Sequence, residues 1–153
     1  MLAALLNNQT VVVAESWAHY HKTLLTTARS LLAEGHFGPA ITTAHTAAEV
    51  FTERVLAAWF RARGIPDLEE AVTDLLPSYN LKHDRMRALY TALTGDPIGA
   101  QPFWSALKES RQHREDFVHG AAGVSREQAE AGCTAVAALL DHLERIQEQA
   151  AQR

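Results

Sequence analysis

The stretch Arg111-Gln-His-Arg-Glu-Asp-Phe-Val-His119-Gly120 decides how the rest of the chain is read, because it interrupts the apolar pattern of its own helix with arginines. Upstream, Pro102, Phe103, Trp104 and Leu107 mark a helix start, with proline in the first turn, where its missing N–H matters least. At about 100° per residue, the face opened by Trp104 and Leu107 continues through Arg111, Arg114 and Val118. Two guanidiniums therefore occupy positions where a bundle helix usually carries leucine. Arginine is almost never fully buried unless it is paired, so these two either have partners or face something anionic. Gly120 directly after His119 has the position of a helix-ending glycine, which puts His119 in the last turn or at its edge. Arg114 and His119 are separated by about 140° round an ideal helix. A site that used both calls for a distorted helix end or a second chain.

Working outward, the pattern is helical almost throughout. Trp17, Tyr20, Leu24, Ala28, Leu31 and Leu32 share one side of a helix that starts near Ser16 and ends before Gly35. A second helix begins at Gly38-Pro39, carries Ile41, Ala44, Ala48, Phe51, Val55 and Trp59 on its apolar face, and stops at Gly64. Its small residues let a neighbour approach closely, while its aromatic half fills space. Asp67 and Glu70 have capping-box spacing for a short helix bearing Leu68, Val72 and Leu75. Asn80 is placed to cap a helix through Met86, Leu89, Tyr90 and Leu93, closed by Gly95. After the motif helix, Ser125 and Gln128 form another capping box, and Cys133, Val136, Leu140 and Leu143 make a final stripe. The expectation is an all-α bundle of five or six helices in a single domain over residues 1–153, with residues 1–13 as an N-terminal extension.

Composition narrows the function classes. The chain has 153 residues, 47% of them hydrophobic, which suits one core without disulfide staples. Its single cysteine, Cys133, falls on an apolar stripe and reads as a buried thiol in a reducing compartment. Met1-Leu-Ala-Ala-Leu-Leu and Val11-Val-Val13 are too short and interrupted for a membrane span, and no basic segment precedes them. A cytoplasmic protein with no membrane partner is expected. The net charge of −4 argues against broad attachment to nucleic acid, so any RNA contact must be local. Two basic patches qualify: Lys82, His83, Arg85 and Arg87, and Lys108, Arg111, His113 and Arg114. The sequence holds no phosphate-cradling glycine loop, no Gly-x-Ser-x-Gly turn and no cysteine pairs of zinc spacing. His45 and Glu49 have the His-x-x-x-Glu spacing found in some helical metal sites. One such pair among eight histidines is what chance supplies, so no metal and no cofactor are expected. Trp17, Trp59 and Trp104 lie on apolar stripes and read as core.

Arg114-Glu-Asp-Phe-Val-His119-Gly120 resembles the Arg-x4-His motif of the HEPN (higher eukaryote and prokaryote nucleotide-binding) superfamily. Its setting is similar too: the motif closes a penultimate helix opened by Phe103-Trp104, a short turn follows, and an amphipathic helix ends the chain. Ala44-His45-Thr46-Ala47-Ala48-Glu49 resembles the family's alanine-rich helix carrying a glutamate. The likeness runs from Trp17 to Ile146. It implies a helical domain acting as a metal-independent endoribonuclease, a toxin or anti-phage defence effector, with RNA as substrate and an antitoxin or defence-system protein as partner. It also implies a homodimer in which both motifs line one cleft. His119 would be the general acid or base and Arg114 the phosphate holder, as catalytic residues. Arg111, His113, Glu115, Asp116, Glu49 and His45 would support them or bind substrate. Glu115 stands where active members often carry asparagine, and a carboxylate there repels phosphate unless it is itself paired. Two other readings compete. One is a noncatalytic HEPN-like module binding nucleotide or a protein, and the other a structural dimer in which Arg114 or Arg111 pairs internally with Glu49 while His119 only ends its helix.

Overall fold

A computed structural model describes residues 18–76 and 78–153, and Trp17 and the N-terminal extension lie outside them. Among the described residues there are six α-helices: α1 (Tyr20–Ala33), α2 (Phe37–Ala62), α3 (Leu68–Thr73), α4 (Asp84–Thr94), α5 (Trp104–Val118) and α6 (Arg126–Ala151). A 3₁₀ turn at Ile98–Ala100 precedes α5, and no strand occurs among the described residues. The protein is thus an all-helical bundle. None of the described helices is long and apolar enough to cross a membrane.

The long helix α2 is the axis of the bundle. It packs chiefly against α6 and α1, and α5 lies across both α6 and α2. Ile41, Ala44, Ala48, Phe51, Val55 and Trp59 are buried as the periodicity predicts, and so are Ala40, Ala47, Leu56 and Phe60. An apolar stripe this wide fits a helix contacted by neighbours on several sides. The Trp59 indole N–H donates to the Ile146 carbonyl at 3.0 Å, tying the far ends of α2 and α6 together. Near the start of α2, the position of a Gly38 Cβ lies 2.2 Å from the Phe117 ring, so only glycine lets α5 seat its last turn there.

Several local expectations are met. Ser125 accepts from the Gln128 N–H at 3.2 Å and Gln128 Oε1 accepts from the Ser125 N–H at 2.9 Å, completing a capping box. Gly95 and Gly120 take the left-handed conformation at the ends of α4 and α5, with φ of 77° and 70°. Cys133, Val136, Leu140 and Leu143 are buried, and burial pushes the Cys133 thiol up from its ordinary value.

Others are not met. Asp67 makes no side-chain cap and Leu75 is 78% exposed, so α3 lies outside the main core and only Val72 packs toward it. Asn80 does not cap α4, whose preceding residue is His83. Its Oδ1 instead accepts from the Lys82 N–H at 3.0 Å, closing a turn one step earlier. On α1, Tyr20 is 37% exposed while His21 is buried. The inward direction there is set by Phe51, which stacks on the His21 ring at 3.8 Å, and by Glu144, 3.5 Å from its Nε2. That choice comes from α2 and α6, not from α1's own periodicity.

Candidate functional site

The charged positions of the motif helix meet α2 along a polar seam. Trp104, Leu107, Ser110 and Arg111 form the buried face of α5. Arg111 is only 7% exposed, and its guanidinium forms an ion pair with Glu49 of α2. Its Nε–H also donates to Glu115 at 3.3 Å, across the i, i+4 spacing of α5. The second oxygen of Glu115 accepts from Lys82 Nζ at 3.3 Å, and the same ammonium donates to Gln112 at 3.0 Å. Burial pushes the Glu115 carboxyl up, but the bonds and charges of Lys82 and Arg111 outweigh it and hold the group below the ordinary value. The carboxylate next to the motif arginine is therefore shared between two cations.

One turn of α2 before Glu49, His45 is buried and hydrogen-bonded through Nε2 to Ser110 Oγ at 2.8 Å. Burial, reinforced by the charges of Arg111, Arg114 and Lys82, lowers its pKa to about 3. It is a neutral imidazole at any physiological pH. His45 and Glu49 thus both turn toward α5, each with its own partner there. No cluster of metal-ligating side chains forms among the described residues.

Arg114 differs from Arg111. It is half-buried, its Nε is enclosed with no hydrogen-bond partner, and it enters no ion pair among the described residues. Glu49, the acid within reach of the seam, is already engaged by Arg111. His119 ends α5 at the C-cap and is exposed, with no side-chain hydrogen bond among the described residues. Val118 beside it is 50% exposed, so the face carrying Trp104, Leu107 and Arg111 opens to solvent in its last turn.

The remaining candidates point elsewhere. His113 turns toward the start of α6, where Gln128 Nε2 donates to its Nδ1 at 3.4 Å, and it lies 3.8 Å from Glu109. Asp116 accepts from Gln112 at 2.9 Å, and its carbonyl receives the Ala121 N–H at 2.8 Å, so it serves the end of the helix. The structure thus gathers Glu49, His45, Arg111 and Glu115 at one seam with Arg114 at its edge, and leaves His113 and Asp116 out.

Beside this seam a recess opens between α2, α5 and the turn at residues 79–82, lined by Asn80, Lys82, Lys108, Trp104 and Arg111 among others. It holds about 20 Å³, room for one water-sized group. Lys82, Lys108 and Arg111 stand against two carboxylates, Glu49 and Glu115, so the recess carries a small local positive surplus although the chain is acidic overall. Sequence reasoning named Lys82 and Lys108 only as basic patches, and missed Asn80 and Ser110. Ser110 was legible in hindsight, since it precedes Arg111 on the face that α2 covers.

Fold and site together define an all-helical bundle with a buried ionic seam and a local cationic edge. Comparisons with known proteins add nothing to that description: no protein-family model, no curated protein and no solved structure matches the chain.

Proposed function

We propose that the protein is a metal-independent endoribonuclease of HEPN type, a cytoplasmic toxin or anti-phage defence effector that works as a homodimer and is held in check by a partner protein. The observation that carries this reading is the contrast within one helix. Arg111 is consumed by Glu49 and Glu115, whereas Arg114, the arginine of the motif, keeps an unpartnered buried Nε one turn closer to His119. The Nε itself is closed off, but the terminal nitrogens of this guanidinium are neither buried nor paired among the described residues, which leaves them to an anion, and they match phosphate oxygens in a fixed fork.

The chemistry is a transesterification. The imidazole of His119 from one copy takes the proton of a ribose 2′-hydroxyl as the 2′-oxygen bonds to phosphorus. The P–O5′ bond breaks, and the His119 imidazolium of the second copy gives its proton to the leaving 5′-oxygen. The products are a 2′,3′-cyclic phosphate and a 5′-hydroxyl end. Arg114 stabilises the charge that builds on the phosphoryl oxygens between these steps. Pairing two copies solves the angular divergence of Arg114 and His119 on a single helix, and the exposed Val118 supplies apolar surface where the copies would meet.

The test is incubation of the purified protein with end-labelled RNA in the presence of chelator. Cyclic-phosphate ends are expected from the wild type, with a loss of at least about 100-fold in His119→Ala and Arg114→Ala. If all three behave alike, the nuclease is excluded and the noncatalytic nucleotide- or protein-binding module takes its place.

A further inference from the structure

We propose that the recess between α2, α5 and the 79–82 turn is a base-reading subsite that selects a 6-keto purine or 4-keto pyrimidine, guanine or uracil, over their amino counterparts. This rests on the nuclease reading and gives its site a substrate preference.

Asn80 carries the argument. It is 7% exposed, it lines the recess, and its Nδ2 has no hydrogen-bond partner among the described residues. Which end of the amide is which is fixed by the turn: the other end accepts the Lys82 backbone N–H at 3.0 Å and so must be the oxygen. The unpartnered end is therefore a donor. A buried N–H without an acceptor is costly, and the folded protein gains when a ligand supplies one. The charged groups around it ask for the same thing. Lys82, Lys108 and Arg111 are donors only: Arg111 is engaged by Glu49 and Glu115, Lys82 by Glu115 and Gln112, and Lys108 has no partner among the described residues.

Size limits the ligand as chemistry does. The recess admits one oxygen or amino group and no whole ring, so it reads the edge of a base whose ring stays outside it. At that edge uracil and guanine present a keto oxygen, whereas cytosine and adenine present an amino group. An amino group would set donor against donor. A site built to bond one of these groups rejects the other by leaving a buried polar atom unpaired. The anionic part of the nucleotide then meets Lys108, and Arg114 lies one turn further along α5 from Arg111.

The experiment is calorimetric titration of the full chain with UMP, GMP, CMP and AMP at low salt. UMP and GMP are expected to bind at least tenfold more tightly than CMP and AMP. Asn80→Asp keeps an oxygen for the Lys82 N–H but replaces the unpartnered donor, and it should erase that preference. Should this variant not fold, 4-thio-UMP reports on the same contact from the ligand side and must bind at least tenfold more weakly than UMP. Equal binding of all four nucleotides, competition by inorganic phosphate as strong as that by UMP, no binding at all, or a preference unchanged in Asn80→Asp each overturns the proposal. Base-selective binding without RNA cleavage would retain the recess and remove the nuclease. Cleavage without base preference would do the reverse.

Discussion

Two of the buried polar clusters among the described residues are finished to different degrees. At the corner between α4 and α6, Tyr90 Oη donates to Asp96 Oδ2 at 2.7 Å and His142 Nε2 meets the same oxygen at 2.7 Å. Arg145 Nη2 lies 3.4 Å from His142 Nδ1. Because a guanidinium can only donate, Nδ1 accepts and Nε2–H donates to Asp96. The Asp96 N–H in turn donates to Thr94 Oγ1 at 3.0 Å. Burial, followed by the bond and charge of Asp96, raises the Tyr90 hydroxyl well above its ordinary value. Every group at that corner has a partner, and the cluster fastens the loop after α4 to α6. The α2–α5 seam follows the same logic up to Arg111 and Glu115, and then leaves Arg114 Nε and Asn80 Nδ2 unpartnered. Closed networks hold a fold together, whereas leftover donors are where a ligand has something to gain.

The comparison is broken most severely at the closed corner. Asp96→Ala leaves the Tyr90 hydroxyl and the His142 N–H unpaired in the interior and should cost about 3–5 kcal/mol, read as a lower denaturant midpoint. Acid should open the seam next. His45 has its pKa depressed on folding, so the unfolded chain binds a proton that the folded chain refuses between pH 6.5 and about 3. Stability therefore falls as pH drops through that window, by on the order of 4 kcal/mol, and His45→Gln should flatten the decline. His21, also lowered by burial, contributes in the same direction and keeps its share in that variant. Glu115 has its carboxyl depressed instead. Its contribution is complete above the ordinary carboxylate value and is lost as pH falls through the folded one, so that limb survives in His45→Gln. Unfolding curves collected from pH 8 to pH 3 on both proteins separate the two limbs.

The two arginines sharpen the contrast inside the seam. Arg111→Ala strands Glu49 and weakens the hold on Glu115, at an expected cost of about 2–3 kcal/mol, since both carboxylates keep some contact with water. Arg114→Ala removes a side chain with no partner and should change stability by less than about 0.5 kcal/mol while abolishing cleavage. Equal destabilisation by the two substitutions would mean that Arg114 is structural. Between these two in stability, Gly38→Ala pushes a methyl group against the Phe117 ring, and should cost about 1–2 kcal/mol while displacing the end of α5 that carries His119. A drop in RNA cleavage larger than the drop in stability would mark that displacement.

How far the site was readable from the sequence is clearest in α5. Periodicity put Arg111 on the covered face but overstated the cover of Arg114, which is half-buried at its edge, and Gly120 located His119 at the helix end through local geometry and a left-handed glycine. The i, i+4 pair of Arg111 and Glu115 was equally local. Which arginine takes Glu49 was not, since that pair spans 62 positions in the chain and depends on how α2 and α5 cross. Asn80 shows the same limit from the other side. Its residue type announces a turn or a cap, but only the packing of α2 and α5 around that turn leaves its amide buried with one end unsatisfied.

By itself the sequence determined the helical class, most helix ends, the Ser125–Gln128 cap and the stripe of α6, all of which depend on residues within a turn or two of one another. The tertiary structure decided that Arg111 is spent and Arg114 is not, that His45 is neutral, and that a donor-lined recess lies beside them. The reason is that charge pairing and burial are properties of distances between helices, which no periodicity within one helix contains.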